Sequence, residues 1–292
     1  MSIMAKKLRQ LLQEKEIVYT MGVGDAFAAK MCNEYEGIDA VLSSGFQISA
    51  MSMGLPDAEL YTRSDNTYAV ANMVYVLNKP LIADIDTAYG NAISAIKSVR
   101  DFERAGAAAV IIEDQRSPKR CPICVSELNT LITAEEGAKK IQAIVENKYN
   151  KDTVVIARTD ASDPEEIMKR ARMYIEAGAD LIQPTSKALP NKQRYQEFVK
   201  ELNFPVSMIV CGWLDSLSKQ DIIDIGPKIC QFALTPVETV YSLWKDVYEY
   251  VAKNHTNKGL PFNTDHKALV SFLGMDEITK LEDKYLVKED NL

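Results

Sequence analysis

Short apolar runs alternate with longer amphipathic stretches along most of this chain. Eight of these runs are rich in Val, Ile and Leu and pass into polar or small residues at their C-terminal ends. They read EIVYTMG, IDAVLSSG, PLIADIDTA, AAAVIIEDQ, TVVIARTDA, ADLIQPTS, PVSMIVCG and ICQFALTP. Continuous apolar strands that alternate with helices are typical of parallel strands buried on both faces. The pattern therefore predicts eight parallel β-strands.

The stretches between the apolar runs have helical spacing. The pattern predicts helices over 91–105, 134–147, 164–176 and 191–202. Two related segments, FERAGAAAVIIED and YIEAGADLIQPT, place Gly106 and Gly178 where a helix ends before a strand. Eight such units predict an α/β fold of the (β/α)8 TIM barrel type. A doubly wound sheet is the alternative, but MGVGDAF lacks the third glycine of its usual phosphate-binding turn.

The C-terminal part of the chain, 237–292, is predicted to be helical, within a single barrel domain of residues 1–292. Its segment VETVYSLWKDVYEYVAKN has apolar residues at helical spacing on more than one face. A helix with two apolar faces favours burial against a partner subunit. The alternative is that this helix only closes the barrel.

Composition and charge narrow the class of protein. The chain has 292 residues, 47% hydrophobic and 26% charged, which is ordinary for a globular enzyme. Its formal net charge of -7 does not favour nucleic acid or an anionic membrane as a partner. No apolar run is long enough to span a bilayer, and the N-terminus lacks the apolar segment of a secretory signal. The five cysteines have no disulfide-framework spacing, so we expect reduced thiols and a cytoplasmic location.

Polar residues gather where the predicted strands end. The barrel fold brings these ends together at one mouth, where active sites of this fold lie. The residues concerned are Ser44, Gly45, Asp84, Asp86, Glu113, Asp114, Arg158, Ser186 and Lys187. An acidic cluster beside an arginine, on consecutive strands, favours a catalytic site over a set of helix caps.

The acidic residues of this cluster predict a metal site. Asp84 and Asp86 are two apart on a predicted strand, so their side chains should face the same way. Two neighbouring carboxylates repel each other, and Mg²⁺ would relieve that repulsion directly or through water. Glu113 lies one strand further on and would complete the set, while Arg158 would hold a substrate carboxylate. The structural alternatives are that Asp86 caps a helix and that Glu113 pairs with a lysine.

Two cysteines, Cys121 and Cys124, follow the fourth apolar run at C-x-x-C spacing. This spacing is shared by zinc half-sites, redox pairs, disulfides and single catalytic thiols with a chance neighbour. A closed zinc site needs four clustered ligands, but the only histidines are His255 and His266, and there is no second C-x-x-C. The sequence therefore disfavours zinc and leaves a redox pair, a disulfide and a single catalytic thiol open.

Four segments in order resemble the isocitrate lyase/phosphoenolpyruvate mutase superfamily. They are SSGFQISAMSMGLPD, DIDTAYGN, IEDQRSPKRC and IARTDA, and the resemblance extends over roughly residues 8–250. It implies a (β/α)8 barrel whose last helix is exchanged between subunits of a homotetramer. It also implies Mg²⁺ and a 2-oxo- or 2-hydroxycarboxylate substrate. The implied chemistry passes through an enolate or through phosphoryl migration on an enolate.

The resemblance also implies roles for individual residues. Ser44, Gly45 and Phe46 resemble the contacts to the substrate carboxylate, with Arg120 and Arg158 as further substrate contacts. The implied metal shell, largely through water, consists of Asp57, Asp84, Asp86 and Glu113.

The segment from Gln115 to about Leu128 resembles a mobile gate. Cys121 falls where the C–C lyases of the superfamily keep the acid that protonates the enolate. It follows the basic pair Lys119 and Arg120, whose charges would lower the pKa of the thiol. Cys124 then has no assigned role, and a redox pair is the alternative.

The chain departs from the pattern of both subgroups of the superfamily. The lyases continue Cys-Gly-His and often have a tyrosine at Leu42, whereas this chain reads Cys-Pro-Ile over 121–123. The segment QPTSK is closer to the His-Ser-Lys of phosphoenolpyruvate mutase and phosphonopyruvate hydrolase. Those enzymes, however, have Asp-Lys and a later Asn in the gate, where this chain has Asp114-Gln115. The segment MIVCGWL matches neither subgroup.

Three hypotheses follow. The first is a Mg²⁺-dependent lyase that cleaves a C–C bond of a 2-hydroxy or 2-oxo di- or tricarboxylate, with Cys121, Lys119 and Arg158 as catalytic residues. The second is a phosphonomutase or phosphonopyruvate-processing enzyme, in which Ser186 and Lys187 hold the phosphoryl group. The third is a barrel that has lost catalysis and serves as a binding protein.

Overall fold

The computed structural model describes residues 3–122, 130–260 and 265–287. The chain divides into two compact units, Met1–Thr239 and Val240–Leu292. The first unit contains every strand of the barrel, and a long helix, Thr235–Asn254, runs across the boundary.

Eight parallel strands form the first unit, as the apolar runs predict. Their order in the sheet is β6-β5-β4-β3-β2-β1-β8-β7, so the first and last strands are hydrogen-bonded neighbours. A single bridge between Ile182 and Val206 joins the two edges. The (β/α)8 barrel is thereby confirmed. The strands are β1 Val18–Val23, β2 Ala40–Ser43, β3 Leu81–Asp84, β4 Ala109–Glu113, β5 Val154–Thr159, β6 Leu181–Pro184, β7 Ser207–Val210 and β8 Ile229–Phe232.

Helices precede, connect and follow the strands. Those up to β8 are α1 Ile3–Glu14, α2 Ala26–Cys32, α3 Gly45–Ile48, α4 Arg63–Val76, α5 Ala92–Ala105, α6 Ala134–Asn147, α7 Pro164–Glu176, α8 Lys192–Leu202 and α9 Lys219–Ile225. The later ones are α10 Thr235–Asn254, α11 His266–Leu273 and α12 Met275–Tyr285. A π-helix over Ser49–Met53 and a 3-10 helix over Gly212–Ser216 complete the set.

Local chemistry explains where the predicted helices begin and end. The side chains of Asn91 and Asp163 accept hydrogen bonds from the first free N–H groups of α5 and α7. Gly106 ends α5 at a φ of 97°, and Gly178 follows α7 at a φ of 96°. This left-handed conformation favours glycine, so the predicted helix stops are confirmed.

The strands are buried on both faces, in two separate apolar clusters. Val41 and Val110 belong to the cluster that also contains helix residues such as Phe102. Their strand neighbours Leu42 and Ile111 belong to the second cluster, with Ala5 and Leu8 of α1. Alternation along each strand thus directs one set of side chains toward the helices and the other into the barrel interior.

The predicted helical character of 237–292 is confirmed for the described residues by α10, α11 and α12. No residue of α10 is buried, and its Tyr241, Trp244 and Tyr248 are 69%, 48% and 65% exposed. Packing against a partner subunit stays a prediction. Across 3–122, 130–260 and 265–287, none of the helices has the length and apolar character needed to cross a membrane.

Candidate active site

A cavity of about 60 Å³ lies at the carboxyl ends of the strands. Its walls come from the ends of β2 to β8 and from the segment after β4. The cavity is lined by Leu42, Ser44, Phe46, Asp57, Asp84, Ile111, Cys121, Pro122, Arg158, Asp160, Gln183, Pro184, Thr185, Ser186, Ile209, Cys211, Ala233 and Leu234. Most of the predicted site residues therefore meet at one place.

The side chains of Asp84 and Asp86 lie close together, as predicted, but Asp86 is not part of the strand, so strand alternation is not the cause. β3 ends at Asp84, and Asp86 lies beyond it with a positive φ of 49°. Its backbone N–H donates to Asp84 Oδ1 over 3.1 Å. Asp86 does not cap the next helix, because Asn91 does so. Burial, followed by the charge of Asp86, raises the pKa of Asp84 to about 6.

Lys119 lies among the carboxylates. Its Nζ is 2.5 Å from Asp57 Oδ1 and 3.0 Å from Asp86 Oδ1, and its side chain is 1% exposed. Burial alone would lower the pKa of Lys119, but nearby carboxylates, led by Asp86, raise it well above its ordinary value. The ammonium thus supplies positive charge that this acidic site requires.

Arg158 and Glu113 form the next part of the site. Arg158 Nη1 lies 3.3 Å from Glu113 Oε2, so Glu113 pairs with an arginine and not with a lysine. The other side of the guanidinium is held by Asp160, at 2.9 Å from Nε and 3.1 Å from Nη2. Burial raises the pKa of Glu113 well above its ordinary range, although Arg158 and Lys119 oppose that shift.

Gly45 explains how the backbone comes close to the acidic residues. A Cβ at this position would lie 2.8 Å from Tyr61 Oη, 3.1 Å from Asp86 Oδ1 and 3.2 Å from Asp84 Oδ2. The Tyr61 hydroxyl donates to Asp86 Oδ2 over 2.7 Å. Glycine is therefore the residue that fits between α3 and the carboxylates.

The first part of the predicted gate lies against the site. Cys121 lines the cavity and is 7% exposed, and its backbone N–H donates to Asp57 O over 3.0 Å. Glu59 holds the same segment, because its Oε2 accepts from the Lys119 N–H over 3.0 Å. Cys124 and the rest of the gate, 123–129, lie outside the described residues.

The Gln115 side chain fixes the beginning of the gate segment through hydrogen bonds. Gln115 Nε2 donates to Arg120 O over 2.9 Å and to Asp160 Oδ2 over 2.6 Å, while its Oε1 accepts from the Arg120 N–H. This amide therefore links the gate to the carboxylate that holds Arg158.

Two predicted substrate contacts lie away from the cavity. The Arg120 side chain is exposed and does not line the cavity. Lys187 is also exposed and lines a larger open groove of about 750 Å³ along α7 and α8. Ser186, next to it, does line the cavity.

Sequence reasoning missed Asp160 and Tyr61. Asp160 follows Arg158 by two residues in IARTDA. Residues two apart at a strand end face the same side, so this spacing could have predicted that Asp160 contacts Arg158. Tyr61 comes from the segment between the π-helix and α4, and nothing in the local pattern marks it. Asp114, which the strand-end pattern included, instead accepts from Arg170 and Tyr174 of α7 at 3.0 and 2.8 Å.

The carboxylates fit a Mg²⁺ ion that retains water. Within the described ranges, no three Asp, Glu, His or Cys side chains converge closely enough to bind a metal by themselves. Glu113 Oε1 is nevertheless buried without a hydrogen-bond partner. Glu113 Oε2 and Oδ1 of Asp57 and Asp86 are also buried without one and have only their ion pairs, with Arg158 and Lys119 respectively. Buried carboxylate oxygens need cations or donors. Mg²⁺ usually binds through one or two carboxylates and several waters.

Comparisons with known proteins identify the family of this chain. A family model described as phosphoenolpyruvate phosphomutase matches residues 8–252. An isocitrate lyase of Haloferax volcanii is 34% identical over 242 residues, covering 77% of this chain and 68% of that protein. A 2,3-dimethylmalate lyase of Eubacterium barkeri is 29% identical over 291 residues, covering 96% and 98%.

A solved structure has the same fold. A phosphonopyruvate hydrolase in complex with oxalate and Mg²⁺ superposes with a TM-score of 0.86 at 26% identity, covering 98% of this chain and 100% of that one. The matched family model extends over most of the chain, including all eight strands. This chain is therefore an enzyme of the isocitrate lyase/phosphoenolpyruvate mutase superfamily.

Proposed function

We propose that the protein is a Mg²⁺-dependent lyase that cleaves a C–C bond of a 2-hydroxy or 2-oxo di- or tricarboxylate through an enolate. One observation carries this proposal. The Cys121 thiol and the Arg158 guanidinium line the same cavity as Asp57 and Asp84. A proton donor, an anion-binding group and cation-binding carboxylates thus surround one space.

Mg²⁺ would be held by Asp84, Asp86, Glu113 and Asp57, largely through water, and when bound it polarises substrate oxygens. Arg158 binds a substrate carboxylate, and Asp160 orients its guanidinium through two hydrogen bonds. Ser44 and Phe46 line the cavity, and together with the neighbouring Gly45 they would contact a substrate carboxylate. Lys119 is held by Asp57 and Asp86 and adds positive charge beside the developing enolate.

Cys121 supplies the proton. On cleavage, the 2-hydroxyl gives its proton to a carboxylate of the acidic cluster and becomes the carbonyl of one product, while the electron pair of the broken C–C bond passes to the carbon that becomes the enolate. The Cys121 thiol then donates its proton to the enolate carbon. The buried position of this thiol keeps water away from that carbon.

Phosphonopyruvate chemistry is the second candidate, because Ser186 lines the cavity and the matching family model is that of a phosphomutase. Lys187 would then be needed at the phosphoryl group, but its side chain lines the outer groove. The third hypothesis, a barrel that has lost catalysis, has little support, since the acidic residues, Arg158 and Cys121 all lie together at the mouth of the barrel.

We also propose a homotetramer with an exchanged helix, supported by the exposed aromatic residues of α10.

Two NMR incubations of the purified protein with Mg²⁺ test the assignment. One contains pooled 2-hydroxy di- and tricarboxylates and is followed by proton NMR. The other contains phosphonopyruvate and is followed by phosphorus NMR. New oxo-acid signals in the first support the lyase, whereas a phosphorus shift without C–C cleavage would replace it with P–C chemistry.

A further inference from the structure

Four polar side chains lie inside the barrel, where apolar side chains usually fill the core. They are Thr20 of β1, Gln183 of β6, Ser207 of β7 and Gln231 of β8. None of them is more than 1% exposed. Strand alternation places them there, because Val18, Leu181 and Ile229, each two positions away, belong to the interior apolar cluster. One side of the barrel interior is therefore polar.

Several hydrogen-bonding atoms of this polar group have no partner in the part of the chain that the structure describes. These atoms are Thr20 Oγ1, Gln183 Nε2 and both amide atoms of Gln231. A buried donor or acceptor without a partner is costly, and native proteins retain few of them. Each such atom therefore indicates a partner from outside the chain, which is a water molecule or a bound ligand.

Gln183 is the member of this group that faces the substrate. It lines the cavity, whereas Thr20, Ser207 and Gln231 do not. In the parallel pairing of β5 with β6, Gln183 is the register partner of Arg158. Register partners project from the same face of a sheet. The amide of Gln183 therefore belongs to the same wall as the guanidinium that is proposed to bind a substrate carboxylate.

Ser207 determines which end of this amide is available. Its hydroxyl donates to Gln183 Oε1 over 3.0 Å, and both side chains are buried. The carbonyl end of the amide is thereby engaged, which leaves the NH₂ end, a donor, for a ligand. A donor at this place selects an oxygen acceptor over an ammonium or N–H group.

Arg158 needs help from such a donor to satisfy a carboxylate. Its Nε and Nη2 donate to Asp160, and its Nη1 lies 3.3 Å from Glu113 Oε2. Every nitrogen of the guanidinium thus already faces a carboxylate of the protein. An ionised carboxylate offers about four lone-pair positions to donors, so a substrate carboxylate at Arg158 requires further N–H or O–H groups.

We propose that Gln183 is a substrate-binding residue whose amide N–H donates to the carboxylate that Arg158 binds, and that Ser207 positions this amide. The ligand class is the carboxylate of a 2-oxo or 2-hydroxy acid. The contact favours a carboxylate over a neutral ester, because hydrogen bonds to a charged acceptor are the stronger ones. This inference rests on the proposed function, to which it adds a recognition residue.

Titration calorimetry with pyruvate, a small 2-oxo acid, and Mg²⁺ tests this contact without requiring turnover. Gln183→Met keeps the length of the side chain but removes the donor. Its Kd should rise about tenfold or more, the loss expected for one hydrogen bond to a charged group. Gln231→Met is the matched control, since it replaces a buried amide that does not line the cavity, and its Kd should stay unchanged.

Three results would overturn the role of Gln183. They are an unchanged Kd in Gln183→Met, an equal rise in Gln183→Met and Gln231→Met, and a lack of pyruvate binding by the unsubstituted protein. The proposed lyase is tested separately, by turnover. C–C cleavage that is detected together with any of these results would therefore reject Gln183 as a binding residue and leave the lyase function intact.

A double-mutant cycle tests the role of Ser207. Ser207→Ala leaves the Gln183 amide free to turn, so the Kd for pyruvate should rise several-fold in the otherwise unsubstituted protein. In the Gln183→Met background, the same substitution should change Kd by less than about twofold, because the amide that Ser207 positions is gone. Equal effects of Ser207→Ala in both backgrounds would contradict a positioning role.

Discussion

Lys119 Nζ lies 2.5 Å from Asp57 Oδ1, and neither side chain is more than 6% exposed. The contact joins the beginning of the gate to the acidic side of the active site. The Lys119 ammonium balances carboxylate charge that a metal ion or water would otherwise have to stabilise. The same carboxylates are those proposed to hold Mg²⁺, so Lys119 influences both the chemistry and the metal affinity.

Replacing Lys119 with methionine should separate these two effects. Lys119→Met keeps a long side chain but removes its charge. We expect kcat to fall by about 10²- to 10³-fold, the usual loss when one preorganised electrostatic group is removed. Mg²⁺ should bind more tightly, because a competing cation is gone, as titration calorimetry would show. Lys139→Met, on the exposed face of α6, is the control and should change neither quantity.

Gly45→Ala tests the close approach of the backbone to the acidic cluster. The added methyl group would lie within 3.2 Å of Tyr61 Oη and of two carboxylate oxygens. We expect a loss of activity of about tenfold or more, since displaced reacting groups are costly. Gly37→Ala is the matched control, because no atom lies within 4 Å of its Cβ position. Similar steady-state kinetics for the two variants would contradict this account of Gly45.

Asp160→Asn tests whether Arg158 must be held in place. The variant removes the charge that accepts two hydrogen bonds from the guanidinium. We expect KM to rise by about tenfold while the fold is kept, because the arginine loses its fixed orientation. Asp163→Ala is the comparison: it removes the N-cap of α7 and should cost about 1 kcal/mol in unfolding free energy without changing KM.

Glu59 is expected to hold the gate segment in place. Its Oε1 accepts from the Thr87 hydroxyl over 2.5 Å and its Oε2 from the Lys119 N–H over 3.0 Å. Glu59→Gln weakens these charge-assisted bonds. Amide hydrogen exchange should become faster at 119–121, and KM should rise. The exposed Glu34→Gln is the control. Exchange rates equal to those of the unsubstituted protein would show that Glu59 does not hold the gate.

The fold could be predicted because its signals are local. Each strand is a short apolar run, and each predicted helix ends at a glycine or begins at a capping side chain, as at Gly106 and Asn91. The barrel then follows from the repetition of one unit, since parallel strands buried on both faces require helices around them.

Chain position alone predicted only the site residues at strand ends, whereas Asp57, Lys119 and Cys121 were predicted from the family resemblance. Asp84, Glu113 and Arg158 directly follow or end strands, so chain position alone places them at the mouth. Tyr61 contacts Asp86 from a segment 25 residues earlier in the chain, and the pattern of residues around either position does not predict that contact. The convergence of Asp86 depends on a positive φ of 49°, which strand periodicity does not predict.

The central claim is that Cys121 donates the proton that completes C–C cleavage. The most direct measurement compares Cys121→Ser with Cys32→Ser, a thiol of α2 that does not line the cavity. Product formation from 2-hydroxy di- and tricarboxylates with Mg²⁺ would be followed by proton NMR, and circular dichroism and Mg²⁺ titration would verify the fold and the metal site. Turnover should fall at least 100-fold in Cys121→Ser, while its fold and its Mg²⁺ binding stay unchanged. Unchanged turnover in that variant would contradict the claim.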